Sequence, residues 1–300
     1  MSYFRLGRRV PERSAVEPRL LAWLYGLITQ TPMVRATHRR FVAGTLAQGV
    51  DRGLALDVGT GPGYVAAEVA RSRPELRMVG LDLAGHMAEK AGRYAAWIGI
   101  DGRALWPQAD GQRLPFPDDV FDLVFSSFAM HHWTEPLRVL NEMARVLKPG
   151  GRYYVADVCR EPNLLQRLFA YASIPAISLP FGSYWGYGGY YESLRAGYTR
   201  AEAQAMLDAS ALPPGQVGLD STWLVPIVTI ASQPPSDPVR SNGFSRALYG
   251  RRADATIADS KNNTSTAHNA RRGSQFAPLR GIMGIRTKRR IVIRREQAEV

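Results

Sequence analysis

Residues 54–63 decide the fold, and they read LALDVGTGPG. An apolar run ends at Val58 and leads directly into three glycines at alternate positions, Gly59, Gly61 and Gly63. Glycines let a backbone turn tightly and approach a ligand closely, and the helix that follows offers unpaired N–H groups to an anionic group. The stretch therefore predicts a strand, a ligand-binding turn and a helix, in that order.

Apolar runs and helical stretches alternate downstream of this turn. The predicted strands are Leu54 to Val58, Met78 to Leu83, Val120 to Phe125 and Tyr153 to Val158, separated by helices such as Gly63 to Arg71 and Pro136 to Leu147. This repetition predicts an α/β fold, in which a parallel sheet carries helices on both faces.

Further elements are predicted on either side of this region. Two helices, Pro18 to Ile28 and Pro32 to Ala47, precede the first strand, and a capping box at Thr199 and Glu202 opens a helix through Ala209. Late runs at Gln216 to Asp220 and Trp223 to Ala231 predict a closing hairpin. Because proline cannot donate to a sheet ladder, Pro226 requires the second run to be an edge strand or to contain a bulge.

Two acids after the turn indicate a nucleoside. Asp82 ends the second predicted strand, where a carboxylate can accept hydrogen bonds from ribose hydroxyls. Asp110 precedes Leu114-Pro115-Phe116 and can accept from an adenine amino group. Tyr64 stands where a dinucleotide fingerprint needs glycine, and no phosphate-binding lysine follows the loop. The pattern favours an adenosine-containing cofactor without phosphate.

Five ordered motifs together resemble class I S-adenosylmethionine-dependent methyltransferases, and within them the quinone-biosynthesis methyltransferases. The motifs are Asp57 with the three loop glycines, Asp82, Asp110 with Leu114-Pro115-Phe116, Phe121-Asp122-Leu123-Val124, and Arg145-Val146-Leu147-Lys148-Pro149-Gly150-Gly151. The sequence has Ala109-Asp110-Gly111 where Gly-Asp-Ala is common in that family. The resemblance is strong over residues 54–158 and weaker to residue 231.

The resemblance implies a Rossmann-like, seven-stranded sheet, mostly parallel with an antiparallel last strand, and S-adenosylmethionine as cofactor. It places the loop beside the methionine portion, Asp57 near the amino group, Asp82 on the ribose and Asp110 at the adenine. The full set of cofactor residues that we expect is Asp57, Gly59, Thr60, Gly61, Gly63, Asp82, Leu83, Asp110, Gly111 and Phe128.

Two histidines are candidate general bases for methyl transfer. His131 and His132 follow the fourth strand, at the carboxyl edge of the sheet where such sites lie. A histidine pair is frequent here in related enzymes whatever the substrate, so packing or capping is the favoured alternative for both.

An aromatic and glycine-rich segment suggests a lid over the methyl acceptor. Its candidate substrate-contacting residues are Tyr184, Trp185, Tyr187, Tyr190 and Tyr191. The alternative is that these rings only pack the segment against the core, and the sequence is about equally compatible with it. The lid, together with the N-terminal helices, would form a helical and aromatic cap.

Charge is distributed unevenly along the 300 residues. The net charge of +12 divides into +6 over residues 1–50, −3 over residues 51–234 and +9 over residues 235–300. We therefore expect an N-terminal helical cap at 1–50, a methyltransferase domain at 51–233 with a lid insertion at 161–198, and a basic, disordered tail at 234–300. The tail could attach to RNA or acidic lipids, but a solvated tail is the favoured alternative.

These features predict an enzyme that methylates a small, lipophilic or aromatic molecule, in the cytoplasm and without a metal. The alternatives are a nucleic-acid methyltransferase that uses the basic tail, and a cofactor-binding protein without catalysis. Ser126-Ser127-Phe128-Ala129 is not the Asn/Asp-Pro-Pro-Tyr/Phe motif of amino-methylating nucleic-acid enzymes. One cysteine, Cys159, excludes an internal disulfide and a thiolate metal cluster. We expect no transmembrane segment, and the sequence indicates no oligomeric state.

Overall fold

The computed structural model describes residue 9 and residues 32–181, 189–221 and 225–233. The helices are α1 (Pro32–Leu46), α2 (Tyr64–Ser72), α3 (Gly85–Trp97), α4 (Pro136–Val146), α5 (Leu164–Phe181), α6 (Gly189–Ala196) and α7 (Arg200–Ala209). The strands are β1 (Arg52–Val58), β2 (Glu75–Leu81), β3 (Ala104–Leu105), β4 (Phe121–Ser127), β5 (Leu147–Val158), β6 (Gly215–Ser221) and β7 (Pro226–Ser232).

The strands form one sheet in the order β3-β2-β1-β4-β5-β7-β6. Strands β1 to β5 pair in parallel, whereas β7 is antiparallel to both of its neighbours, β5 and β6. The chain order reverses between β1 and β4, and ligands of open α/β sheets bind at such a point, beyond the carboxyl ends of the strands. The glycine loop follows β1 at this position.

Two buried layers cover the sheet because its central strands are apolar on both faces. One layer joins the sheet to α4 and α7, with Leu140 and Leu207 among its members. The other joins it to α1, α2 and α3, with Phe41 and Val69 among its members. The prediction of an α/β fold with helices on both faces is confirmed.

Helix α1 is docked firmly on the second of these layers. Phe41 is 1% exposed, and Gly44 lies so close to Tyr154 that a Cβ on Gly44 would stand 2.2 Å from the phenol oxygen. The Arg40 guanidinium is 2.5 Å from the Asp220 carboxylate of β6. The helix therefore has a defined position on this face of the sheet, against β5.

Several predicted elements are confirmed, with boundaries moved by a few residues. The helix after Thr199 begins with the expected reciprocal capping box and ends at Ala209. Strand β2 stops at Leu81, and the next residue, Asp82, forms an isolated bridge to Gln108 while its side chain binds the glycine loop. The predicted helix at Pro18 to Ile28 lies outside the described residues.

The expectation for Pro226 is wrong. Its strand, β7, is paired on both sides over its length, by β5 and by β6. Pro226 is the first residue of this strand, and its carbonyl accepts a hydrogen bond from the Cys159 amide. A first position tolerates proline because the ladder does not need its missing N–H there.

Four elements have no counterpart among the individually predicted ones, namely the two-residue strand β3 and helices α3, α5 and α6. Strand β3 is too short to produce an apolar run, since Pro107 follows closely. Within the described ranges, no helix combines the length and apolarity that a membrane crossing requires.

Candidate functional site

The turn after β1 is a compact loop held to the neighbouring strand. The amides of Gly59 and Thr60 both donate to the Leu81 carbonyl, at 3.0 and 2.8 Å. The amide of Gly63 donates to the Thr60 carbonyl at 3.0 Å, and α2 begins at the next residue. The loop thus brings the amino end of α2 to the carboxyl edge of the sheet.

Each alternate glycine adopts a left-handed conformation, with φ of 77° at Gly59, 53° at Gly61 and 80° at Gly63. A Cβ at Gly59 would stand 2.6 Å from that of Ala129, and one at Gly63 would stand 2.7 Å from that of Ala91. These two positions therefore need glycine for their conformation and for space.

Asp57 is a buried carboxylate with one unsatisfied oxygen. It lies at the end of β1 and is 2% exposed. Its Oδ2 accepts a hydrogen bond from the Thr60 hydroxyl at 2.8 Å, whereas its Oδ1 has no partner within the described part of the chain. Burial raises the pKa of Asp57 to about 7, although the Thr60 hydrogen bond opposes this and the charge of Asp82 adds to it. A cation placed at Oδ1 would stabilise the charged form.

Asp82, which directly follows β2, holds the glycine loop by a hydrogen bond. Its Oδ2 accepts from the Gly61 amide at 2.8 Å, and its Oδ1 accepts from the Ala84 amide at 2.9 Å. Burial raises its pKa, and these two hydrogen bonds counteract the rise. Each carboxylate oxygen has a further lone pair, so ribose hydroxyls can still bind there.

A cleft opens over the loop and joins residues that are distant in sequence. It is lined by His38, Phe41, Asp57, Gly59, Thr60, Gly61, Pro62, Tyr64, Val65, Ser127 and Phe128. Five of the predicted cofactor residues lie in this lining, and Gly63, Asp82, Leu83, Asp110 and Gly111 lie outside it. The Ser127 hydroxyl, like Asp57 Oδ1, has no hydrogen-bond partner among the described residues.

Phe128 forms one wall of the cleft in an uncommon backbone conformation. Its φ is 58°, which is rare for a bulky residue and is found most often at functional sites. Its amide donates to the Ala156 carbonyl at 2.9 Å, and its ring centroid is 6.2 Å from that of Phe41. Aromatic walls of this kind can pack against a cation or a flat molecule.

His131 is held in a buried pair with Asp157. Its Nδ1 lies 2.7 Å from Asp157 Oδ1, and neither side chain is exposed to solvent. Asp157 Oδ2 also accepts from the His131 amide at 2.6 Å, and Oδ1 accepts from the Val158 amide at 2.6 Å. This geometry agrees with the packing and capping alternative for His131.

The His132 ring lies against the His131 ring, with the two centroids 4.0 Å apart and the planes inclined by 37°. Burial, followed by the neighbouring His131, lowers the pKa of His132 to about 2. Arg9 links the His131 segment to the end of α6: its Nη2 donates to the His131 carbonyl and its Nε donates to the Ala196 carbonyl. Neither histidine is part of the cleft lining.

Three further predicted cofactor residues, Leu83, Gly111 and the predicted adenine residue Asp110, lie outside the cleft lining. Asp110 is exposed and its Oδ1 accepts from the Gln112 amide at 2.9 Å, which makes it a turn former in this structure. Leu83 is 48% exposed beside Asp82. Gly111 packs against Val58, where a Cβ would approach the valine to 3.0 Å. Their contact with a cofactor stays a prediction.

The predicted aromatic lid is described only at its end. Tyr184, Trp185 and Tyr187 lie outside the described residues, and Tyr190 lies in α6 without a described side chain. Tyr191, also in α6, packs against Tyr171 of α5 with ring centroids 5.3 Å apart. This contact agrees with the packing alternative at that one position.

His38, Phe41, Tyr64 and Asp157 are among the residues of this region that sequence reasoning missed. Phe41 belongs to a buried stripe on α1 with Thr37 and Thr45, and that helical spacing would have located the inner face. His38 lies next to this stripe. Asp157 interrupts an apolar strand, which is the signal of a buried polar group with specific partners.

Cys159 does not have the surroundings of a nucleophile. Burial raises the pKa of the Cys159 thiol to about 12, so the reactive thiolate is disfavoured. Across the described ranges, no three His, Cys, Asp or Glu side chains are grouped so that they could hold a metal ion.

Comparison with known families gives a match at this site. The model of the methyltransferase domain family matches residues 56–155, which include the glycine loop, Asp82 and the His131 segment. The demethylmenaquinone methyltransferase of Thermus thermophilus is 32% identical over 160 residues, covering 52% of this chain and 72% of that protein.

Other relatives match over a smaller fraction of both chains. A ubiquinone/menaquinone biosynthesis C-methyltransferase of Geobacter sulfurreducens is 33% identical over 140 residues, covering 46% of this chain and 55% of that protein. The 27-O-demethylrifamycin SV methyltransferase of Amycolatopsis mediterranei is 32% identical over 108 residues, covering 36% and 39%. The chain thus spans about half the length of the first curated relatives that it matches.

The fold is also shared with a solved structure. A putative S-adenosyl-L-methionine-dependent methyltransferase from Methanococcus maripaludis superposes with a TM-score of 0.54 at 18% identity. The alignment covers 76% of this chain and all of that protein. At this identity the likeness supports the seven-stranded architecture alone.

Proposed function

Because this chain belongs to the class I S-adenosylmethionine-dependent methyltransferases, of the type related to quinone biosynthesis, we propose that it methylates a small, lipophilic or aromatic molecule. When bound, S-adenosylmethionine supplies an electrophilic methyl group on a sulfonium. The protein's own task is to hold this cofactor and to bring an acceptor atom behind the methyl carbon.

One observation carries the proposal, namely the unsatisfied Oδ1 of Asp57. A buried carboxylate without a partner is costly, and its pKa of about 7 reflects that cost. The methionine portion of the cofactor carries an ammonium group, which is the kind of partner that this oxygen lacks. The residues present therefore fit S-adenosylmethionine.

Neighbouring groups complete the fit. Asp82 is available for the ribose hydroxyls, and the amino end of α2 offers N–H groups to the cofactor's carboxylate. No phosphate has to be bound, which agrees with a loop that contains no lysine. Phe41 and Phe128 provide aromatic surface close to these polar groups.

The acceptor enters, in this proposal, from the side of α1, α5 and α6. Helix α1 supplies His38 and Phe41 to the cleft, which supports a cap that includes residues before the sheet. In this proposal α5 and α6, which pack against Phe128, belong to the same cap. The names of the relatives, which include quinone and rifamycin methyltransferases, favour a flat or bulky apolar acceptor. The single cysteine suits a reducing compartment, and we place the reaction in the cytoplasm.

The test has a binding arm and a transfer arm. Calorimetry with S-adenosylhomocysteine measures the cofactor site directly, and we expect a single site per chain. Transfer of a labelled methyl group is then measured to 1,4-dihydroxynaphthalene, a simple phenol and a macrolide, with total RNA as the competing substrate.

The possible outcomes distinguish the three functions considered: small-molecule methylation, RNA methylation and cofactor binding without catalysis. Label in a small molecule supports the proposal. Label only in RNA, and only when residues 235–300 are present, would reverse it in favour of the basic tail. Folded protein that does not bind S-adenosylhomocysteine would exclude the cofactor, whereas binding without transfer to any acceptor would indicate a binding protein.

A further inference from the structure

One histidine in the cleft has no assigned role. His38, on α1, lines the same cavity as the glycine loop, Asp57, Ser127 and Phe128. Its ring centroid is 5.9 Å from that of Tyr64 at the start of α2, and the two planes are inclined by 39°. The imidazole is thus at the boundary between the N-terminal helix and the cofactor loop.

The position of His38 is set by the helix that carries it. Phe41, one turn further along α1, is 1% exposed and lies beside Phe128 across the cleft. The Arg40 contact to Asp220 and the close approach of Gly44 to Tyr154 fix the same helix at two more points. A side chain on so firmly docked a helix is preorganised, as a catalytic group must be.

The protonation state of His38 suits a proton acceptor. Burial lowers its pKa to about 4, so the imidazole is neutral near pH 7 and one ring nitrogen carries a free lone pair. A neutral imidazole can accept a hydrogen bond from an acceptor hydroxyl before any proton moves.

The two histidines expected from the sequence are less well placed. The Nδ1 of His131 is hydrogen-bonded to Asp157, and the His131 side chain has no exposed surface. His132 stacks behind it, and neither lines the cleft. His38 is the histidine that the described cleft presents to a ligand.

On the basis of the proposed function, we propose that His38 is a catalytic residue that takes the proton of the methyl acceptor. The acceptor's O–H hydrogen passes to the free imidazole nitrogen. The acceptor's oxygen then bonds to the methyl carbon, while the sulfur keeps the electron pair of the broken S–C bond. If a ring carbon activated by this oxygen bonds instead, that carbon afterwards loses its own hydrogen as a proton to solvent, which restores the aromatic ring. The imidazolium returns its proton to solvent.

The experiment compares His38→Gln with two variants in the full-length protein. Arg39→Gln changes the exposed neighbour on the same helix, and His132→Gln removes the competing base. We expect His38→Gln to lower kcat for the acceptor that is methylated by about 10² to 10⁴-fold, the range for a general base. KM and S-adenosylhomocysteine affinity should stay close to those of the unaltered chain. Added imidazole should restore part of the rate of His38→Ala.

A second readout does not depend on turnover. In protein with ¹⁵N-labelled histidine and saturating S-adenosylhomocysteine, 1,4-dihydroxynaphthalene should shift the ring nitrogens of His38 and leave those of His132 in place. Unchanged His38 signals would overturn the proposal, even if no acceptor had yet been methylated.

The remaining outcomes are also decisive. Full activity of His38→Gln, or a loss confined to His132→Gln, would overturn the role of His38. A loss of S-adenosylhomocysteine affinity with kcat preserved would make His38 a cofactor ligand instead. Failure of the proposed function is distinct, because it requires that the unaltered chain itself does not bind S-adenosylhomocysteine or transfer a methyl group.

Discussion

Two buried carboxylates on the same sheet have opposite surroundings. Asp57 ends β1, is 2% exposed and leaves Oδ1 without a partner in the described structure. Asp157 lies near the end of β5, has no exposed surface, and accepts from the His131 ring, the His131 amide and the Val158 amide. Both are acids in apolar strands at the carboxyl edge of the sheet, so sequence context alone does not separate them.

The difference teaches how to distinguish a binding carboxylate from a structural one. A buried charge is tolerated when its hydrogen bonds are complete, and Asp157 meets this condition within the protein. Asp57 does not, so its missing partner is expected to come from a ligand. Three predictions follow from this contrast.

Replacement of Asp157 should cause the largest loss of stability. Asp157→Ala removes the acceptor of three hydrogen bonds and leaves the buried His131 ring without that partner, so the free energy of unfolding should fall by about 3–5 kcal/mol. Urea unfolding monitored by circular dichroism measures this. Glu75→Ala, at an exposed acid of β2, is the control and should change little. A loss below about 1 kcal/mol would mean that Asp157 is not structural.

Replacement of Asp57 should weaken cofactor binding and alter the dependence of stability on pH. The folded pKa of about 7 exceeds the ordinary 3.8, so the folded state holds an extra proton between these values. The free energy of unfolding should therefore fall as pH rises from about 4 to about 7, by at most about 4 kcal/mol. Asp57→Asn should abolish this slope, and Glu75→Gln should retain it.

The same variant tests the ligand. Loss of a charge-assisted contact should weaken S-adenosylhomocysteine binding about 10- to 100-fold in Asp57→Asn, equivalent to about 1.4–2.7 kcal/mol. Calorimetry on the variant at pH 8 measures this. If Asp57→Asn binds S-adenosylhomocysteine as tightly as the unaltered chain does, Asp57 is not a ligand-binding carboxylate, and its unsatisfied oxygen has another cause.

Removal of the Thr60 hydroxyl should have the smallest effect. Thr60→Val deletes the one hydrogen bond that lowers the pKa of Asp57, so this pKa should rise further and stability at pH 7 should fall by about 1 kcal/mol. More protons should be released when S-adenosylhomocysteine binds at pH 7, which calorimetry in buffers of different ionisation enthalpy detects. Unchanged proton release would show that Thr60 does not control Asp57.

Local features of the sequence predicted the turn after β1 and the elements on either side of it. The strand, the three glycines and the following helix are neighbours in the chain, and their pattern depends on short-range geometry. The capping box at Thr199 and Glu202 is predictable for the same reason. Asp82 was singled out from the sequence as well, but its hydrogen bond to Gly61, 21 positions away, was not, because that bond joins it to the loop after the neighbouring strand.

The acceptor half could not be predicted in the same way. His131 and His132 were conspicuous as a pair, yet Asp157, 26 positions away, sets the environment of the first. His38 was overlooked because nothing in its local sequence distinguishes it. It reaches the cleft because α1 packs against β5 and against α2, the helix that follows the glycine loop.

Local sequence patterns were enough to predict the fold class and the turn after β1, because alternating apolar runs and glycine spacing act through local geometry, and the resemblance carried by the five motifs implied the cofactor. The tertiary structure alone decided which buried acid keeps an unsatisfied oxygen, and which of the histidines lines the cleft. Hydrogen-bond satisfaction and burial depend on groups that are far apart in the chain, and packing alone brings those groups together.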